Sequence, residues 1–199
     1  YYGNMSFLKA GIYYADRIVT VSPAYAKEIQ TEALGFGMHG LLRHRRRDLT
    51  GIVNGIDIEA WNPATDRFIA QTYTAATLER KARNKEALQQ ALGLKQDAGM
   101  PLLGMVCRIT QQKGIDLLLA AAPQLLRLPA QIVVLGSGDT NLQRQLLDLA
   151  RHHPRQMSVQ TKFDESLSHL IEAGADIFLM PSRFEPCGLN QMYSQRYGT

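Results

Sequence analysis

Cysteine is scarce in this sequence: its 199 residues include only Cys107 and Cys187. Two distant thiols make neither a disulfide framework nor a metal-type pair, and they fit a reducing, cytoplasmic setting. No apolar run approaches the roughly 20 residues needed to span a bilayer, so no membrane partner is expected. No signal peptide opens the chain. Internal repeats and low-complexity segments are absent as well. Charge of one sign is only mildly in excess, at 22 basic against 18 acidic residues and a formal net charge of +4. The one dense charge run is RHRRR, with arginines at 43, 45, 46 and 47. Such a run is either a nucleic-acid patch or a solvated loop. It lacks interleaved aromatics and a known motif, so no nucleic-acid partner is expected.

What is present is an ordinary globular composition, 45% hydrophobic and 20% charged. The length suffices for one domain or parts of two. Three regions differ in texture. In residues 1–58, Met5, Leu8, Ile12 and Ala15 keep helical spacing, beginning directly at Tyr1, and Arg17–Val21 (RIVTV) reads as a buried strand. Ser22 then caps and Pro23 opens a helix over AYAKEIQTEA. GIVNGID, Gly51 to Asp57, reads as a short strand running into a turn. Residues 59–98 are polar, with one amphipathic helix from Ala76 to Leu92, and read as a connection between domains.

Residues 99–199 alternate apolar strands with helices. The strands are Leu102–Cys107, Gln131–Leu135, Ser158–Lys162 and Asp176–Met180. A last helix starts near Leu189. Continuous apolar strands separated by helices predict a parallel sheet covered on both faces, an α/β doubly wound, Rossmann-like domain. Such domains bind ligands at the carboxyl ends of their strands.

Four turns therefore matter. After the first strand, Arg108 and Lys113 precede a helix. They either grip a diphosphate, fork and point charge together, or stand as solvated cations in an exposed turn. After the second comes Gly136-Ser137-Gly138-Asp139, a ligand-approach turn or a plain tight turn. After the third, Phe163 either stacks on a nucleobase or belongs to the core. After the fourth comes a loop dense in chemistry, with Arg183, Glu185, Cys187, Gly188, Leu189 and Asn190. Glu185 can accept hydrogen bonds from sugar hydroxyls or serve as a helix-entry anion. The amides of Cys187, Gly188 and Leu189 are placed for phosphate. Cys187 alone reads as a small buried residue more readily than as a nucleophile.

Four ordered segments carry a resemblance: ADRIVTVSPAYAKEIQT, GIVNGIDIEAWNPATD, CRITQQKGID and PSRFEPCGLNQMYSQRYGT. Together they resemble the bacterial glycogen synthase and plant starch synthase family, and the match runs through essentially the whole chain. The resemblance implies a glycosyltransferase-B fold: 1–58 the end of a first, acceptor-side Rossmann-like domain, 59–98 the connection, 99–199 most of the nucleotide-sugar domain. It implies retaining transfer of glucose from ADP-glucose to the non-reducing end of an α-1,4-glucan, with no metal or other cofactor. The expected location is the cytoplasm, or a plastid in a plant or alga.

By the same resemblance, Arg108 and Lys113 hold the donor diphosphate and Glu185 binds the donor glucose. Cys187, Gly188 and Leu189 form a backbone cradle, and Asn190 lies near the phosphates. Asn54 faces the donor from the first domain, and Phe163 lies beside the adenine. Lys162 stands where the family has glycine. Tyr193 stands where other transferases of this fold have a second glutamate, which favours the synthase over a UDP-glucose transferase; the intact Arg108, Lys113 and Glu185 argue against a non-catalytic glucan- or nucleotide-binding derivative. The family's Lys-x-Gly-Gly-Leu loop and its donor-facing histidine are not among these residues. Both ends read as cut, so the 199 residues alone are expected not to turn over.

Overall fold

The computed structural model describes residues 5–199. The helical start expected at Tyr1 therefore lies partly outside the described residues. Two compact units are present. One comprises residues up to Gly55 together with Glu185–Leu189; the other comprises Ile56–Phe184 and Asn190–Thr199.

The first unit pairs strand β1 (Ile18–Val21) in parallel with β2 (Leu49–Ile52). Helix α1 (Phe7–Tyr14) starts on Ser6, whose side chain accepts from the Lys9 amide. Helix α2 (Pro23–Glu28) has the expected serine cap: Ser22 Oγ accepts from the Tyr25 amide at 3.0 Å, with proline at the first turn. It stops five residues before the end of the expected run, at Glu28. Gln30 Nε2 donates to the Ala26 carbonyl and Thr31 Oγ1 to that of Glu28, taking the acceptors that further helix would need. Strand β2 starts and ends earlier than GIVNGID implied. Gly51 permits its pairing, because a Cβ there would lie 2.1 Å from the Ser22 carbonyl oxygen. Helix α3 (His39–His44) leads into the arginine run. Arg45 in that run is turned inward, its side chain only 16% exposed. Its guanidinium donates to the carbonyls of Ile12, Tyr13 and Ala15 and to Asp48, closing the carboxyl end of α1.

The second unit holds a four-stranded parallel sheet in the order β5-β4-β3-β6. Its strands are β3 (Leu102–Val106), β4 (Gln131–Leu135), β5 (Met157–Gln160) and β6 (Ile177–Phe178). Strand β4 is buried throughout, and its alternate side chains enter different clusters. Ile132 and Val134 pack with α5 (Ile115–Leu125) and α6 (Thr140–His152), through Leu118, Ala122, Leu142 and Leu146. Val133 and Leu135 pack on the opposite face with Leu88 and Ile171. Those two residues belong to α4 (Lys81–Ala91) and α7 (Glu165–Gly174). Period-two side chains feeding two helix layers make the sheet doubly wound.

Residues 59–98, read from the sequence as a connection, are instead part of this unit. Ile69, Tyr73 and Leu88 are buried, and Gly174 of α7 comes so close to α4 that a Cβ would lie 2.8 Å from the Asn84 carbonyl oxygen. The single helix expected from Ala76 is a 3₁₀ turn (Ala75–Arg80) followed by α4, broken at Thr77. Strand β6 is shorter than Asp176–Met180, although Asp176 and Leu179 still donate to the Leu102 and Gly104 carbonyls of β3. Helix α8 (Asn190–Tyr197) closes the described chain.

Candidate active site

The sheet order fixes where a ligand belongs. From β3 the chain winds outward through β4 to β5, then returns to place β6 on the other flank of β3. The reversal lies between β3 and β6, and a crevice at the carboxyl ends of those strands is where open α/β sheets bind ligands. The turns after β3 and β6 carry most of the residues singled out from the sequence.

After β3, Arg108 is exposed and Lys113 half-buried, one turn before the start of α5. The Arg108 guanidinium donates to Gln112 Oε1 at 3.3 Å. Gly114 enters α5 at φ +72°, and a Cβ there would lie 2.1 Å from the Pro181 carbonyl oxygen. Glycine is required by both the left-handed backbone and the closeness of the two turns. From the other side, Arg183 donates from its amide to the Gln112 carbonyl and from its guanidinium to the Gln111 carbonyl and both oxygens of Asp116. The Arg183 hydrogen bond holds the Asp116 carboxyl below the usual range. Asn190, the first residue of α8, donates from Nδ2 to the Val106 carbonyl at the end of β3. That amide seats the amino end of α8 beside the strand from which Arg108 emerges.

The glycines after β4 let their turn lie against the backbone that follows β3. A Cβ on Gly136 would lie 1.7 Å from the Cys107 carbonyl oxygen, and one on Gly138 2.3 Å from that of Ile109. The Gly136 amide donates to Gln160, and Asp139 caps α6 through the amides of Asn141 and Leu142. After β5, Phe163 is 78% exposed, so it is not a core residue. Its ring stands at the carboxyl edge of the sheet. The next residue, Asp164, caps α7, and the backbone amide of Leu167 and the Ser166 hydroxyl hold its carboxyl low.

Glu185–Leu189 group with the first unit, where Cys187 Sγ accepts from the Asn54 amide at 3.4 Å. Glu185, Cys187 and Asn54 are half-buried, Gly188 is buried and Leu189 is partly exposed.

A buried polar centre escaped the sequence reading. Asp66 accepts from His169 Nδ1 at 2.7 Å, from the Tyr197 hydroxyl and, through its other oxygen, from the Phe68 amide at 2.8 Å. Trp61 lies between His169 and Tyr193, stacked on each at 3.8 Å. The side-chain partners of Asp66 lie on α7 and α8, more than a hundred residues away. The available signal was a histidine inside the apolar run of α7. Among the described residues, no group of three or more His, Cys, Asp or Glu is placed to hold a metal ion, and no helix is long and apolar enough to cross a membrane.

Residues 84–199 match the family model described as glycosyl transferases group 1, and residues 1–44 match the starch synthase catalytic domain. The chain belongs to the group 1 glycosyl transferases. This group 1 transferase is 61% identical over all 199 residues to a glycogen synthase of Nitrosomonas eutropha and 62% identical to one of Nitrosospira multiformis. It spans 40% of the length of each of these curated relatives. The catalytic domain of starch synthase IV from Arabidopsis thaliana, solved bound to ADP and acarbose, superposes with a TM-score of 0.91 at 40% identity. That match covers 96% of this chain and 40% of the other. The fold of this transferase is accordingly glycosyltransferase-B type.

Proposed function

We propose that the chain supplies the donor-binding part of an ADP-glucose-dependent glycogen synthase. The reaction is retaining transfer of glucose from ADP-glucose to the non-reducing end of an α-1,4-glucan. The observation that carries this reading is the set of Arg108, Lys113 and Asn190 beside the reversal point of a parallel sheet, in a chain about 60% identical to glycogen synthases. As the glycosidic bond breaks, negative charge grows on the diphosphate, and Arg108 and Lys113 stabilise it. Removing one preorganised group of this kind costs on the order of 100-fold in rate. Glu185 binds donor glucose hydroxyls, with the Cys187–Leu189 backbone cradling sugar and phosphate. Asn54 faces the donor from the first domain. The exposed Phe163 stacks on adenine. Retention follows from attack on the face the diphosphate leaves, the donor phosphate taking the acceptor proton. The donor is a substrate, and the reading includes no metal or other cofactor. Residues up to about 58 belong to the acceptor-side domain and the rest to the donor side, in a protein of the cytoplasm or a plastid.

Calorimetric titration of this chain with ADP and with UDP tests the reading. ADP should bind more tightly, and Arg108→Ala should weaken it about tenfold or more, the loss of a charge-assisted contact. A clear preference for UDP would overturn the adenine assignment.

A further inference from the structure

We infer that Arg183 is a positioning residue for the transfer reaction, acting through Asp116 and the Arg108–Lys113 turn; this rests on the donor-site reading above. Arg183 makes two hydrogen bonds to one carboxylate, Nη1 to Asp116 Oδ1 at 2.7 Å and Nη2 to Oδ2 at 2.6 Å. Nη1 also donates to the Gln111 carbonyl at 2.7 Å, and the Arg183 amide donates to the Gln112 carbonyl at 2.9 Å. Gln112 completes the link. Its Oε1 receives Arg108, and its Nε2 donates to the carbonyl of Phe184, the residue before Glu185, at 3.4 Å. One guanidinium thus ties the turn that carries both candidate diphosphate cations to the segment that leads into the candidate sugar-binding carboxylate.

Stability does not account for this geometry. The Arg183 and Asp116 side chains are 45% and 35% exposed, and an exposed ion pair adds little to folding. What a planar fork adds over a simple charge is direction. Direction matters where the reaction depends on cations placed against a leaving group, since a misplacement of about 1 Å can cost on the order of 100-fold in rate. Neither side chain needs to touch the substrate for this role.

The test is glucosyl transfer by the full-length protein, comparing Arg183→Lys, Arg183→Ala and Asp116→Asn with the parent. All three should lower kcat about tenfold or more, with a smaller change in KM for ADP-glucose and a Tm within about 4 °C of the parent. The double variant Arg183→Ala/Asp116→Asn should fall no further than the worse single, because both remove the same fork. Parental kcat in Arg183→Lys or in Asp116→Asn would overturn the inference. So would a loss of Tm that tracks the loss of activity across the three variants. Arg108→Ala serves as the control: if it and all the others turn over normally, the donor-site reading fails as well, whereas loss in Arg108→Ala alone sinks only the role of Arg183.

Discussion

Replacing Glu172 by glutamine should stabilise the second unit, increasingly so as pH rises toward 8. Glu172 lies on α7 with 1% of its surface exposed, and its Oε2 is buried with no hydrogen-bond partner. Burial pushes the carboxyl up from 4.5 to about 8, against a weaker opposing pull from Lys81. Lys81 points elsewhere: its ammonium donates to the Glu172 and Ala173 carbonyls and to the Thr199 hydroxyl. Burial pushes Lys81 down to about 8. Between pH 4.5 and 8 the folded state holds a proton on Glu172 that the unfolded state has lost, so stability falls as pH rises. Between 8 and 10.5 the unfolded state holds a proton on Lys81 that the folded state lacks, so stability recovers. The contribution of these two groups is therefore least favourable near pH 8. With each pH unit worth about 1.4 kcal/mol, the carboxyl limb amounts to about 3 kcal/mol by pH 7. Glutamine carries no titrating proton and should escape that loss. Urea unfolding followed by the single tryptophan, Trp61, at pH 5, 7 and 8 measures it. A variant no more stable than the parent at pH 7, or an advantage that shrinks from pH 5 to 8, would refute the argument.

Three more outcomes are expected. Gly114→Ala forces a Cβ against the Pro181 carbonyl and a left-handed backbone; a cost of about 2 kcal/mol or more in urea unfolding should accompany weaker ADP binding by calorimetry. Asp66→Ala leaves His169, Tyr197 and the Phe68 amide without their acceptor. It should destabilise the second unit by about 3 kcal/mol and change the emission of the stacked Trp61. Arg45→Ala uncovers three carbonyls at the end of α1, and helical circular dichroism should fall with a loss of about 2 kcal/mol in the first unit.

The elements legible from sequence were those in which one chemical signal was local. Ser22-Pro23 announced a helix start, and the run Gln131–Leu135 announced a strand buried on both faces. The strand-end rule then led to Arg108, Lys113 and Asn190, which the sheet order places on either side of the reversal. The errors came from partners far along the chain. Residues 59–98 read as a connection because they are polar, yet Asn84, Lys85 and Gln89 of α4 are all buried. Asn84 pairs with the Gln71 backbone, Lys85 with Asp176 and Gln89 with Gln131. Four arginines in five positions hid the one that caps a helix. The glycines of Gly136-Ser137-Gly138 were legible as a close approach, but the approaching group is the Cys107–Ile109 backbone just after β3, which a linear sequence does not name.

The closure of α1 by Arg45 has a consequence for synthesis. An eight-residue helix is too short to persist by itself in water. Its last carbonyls wait for a side chain thirty or more positions later, and β1 waits for β2 over a similar span. As the chain emerges from the ribosome, these contacts of residues 12–21 cannot form until those around 45–52 have appeared. Within this stretch the segment made earlier waits on the one made later, and a protease acting during that interval would find α1 without its closing arginine.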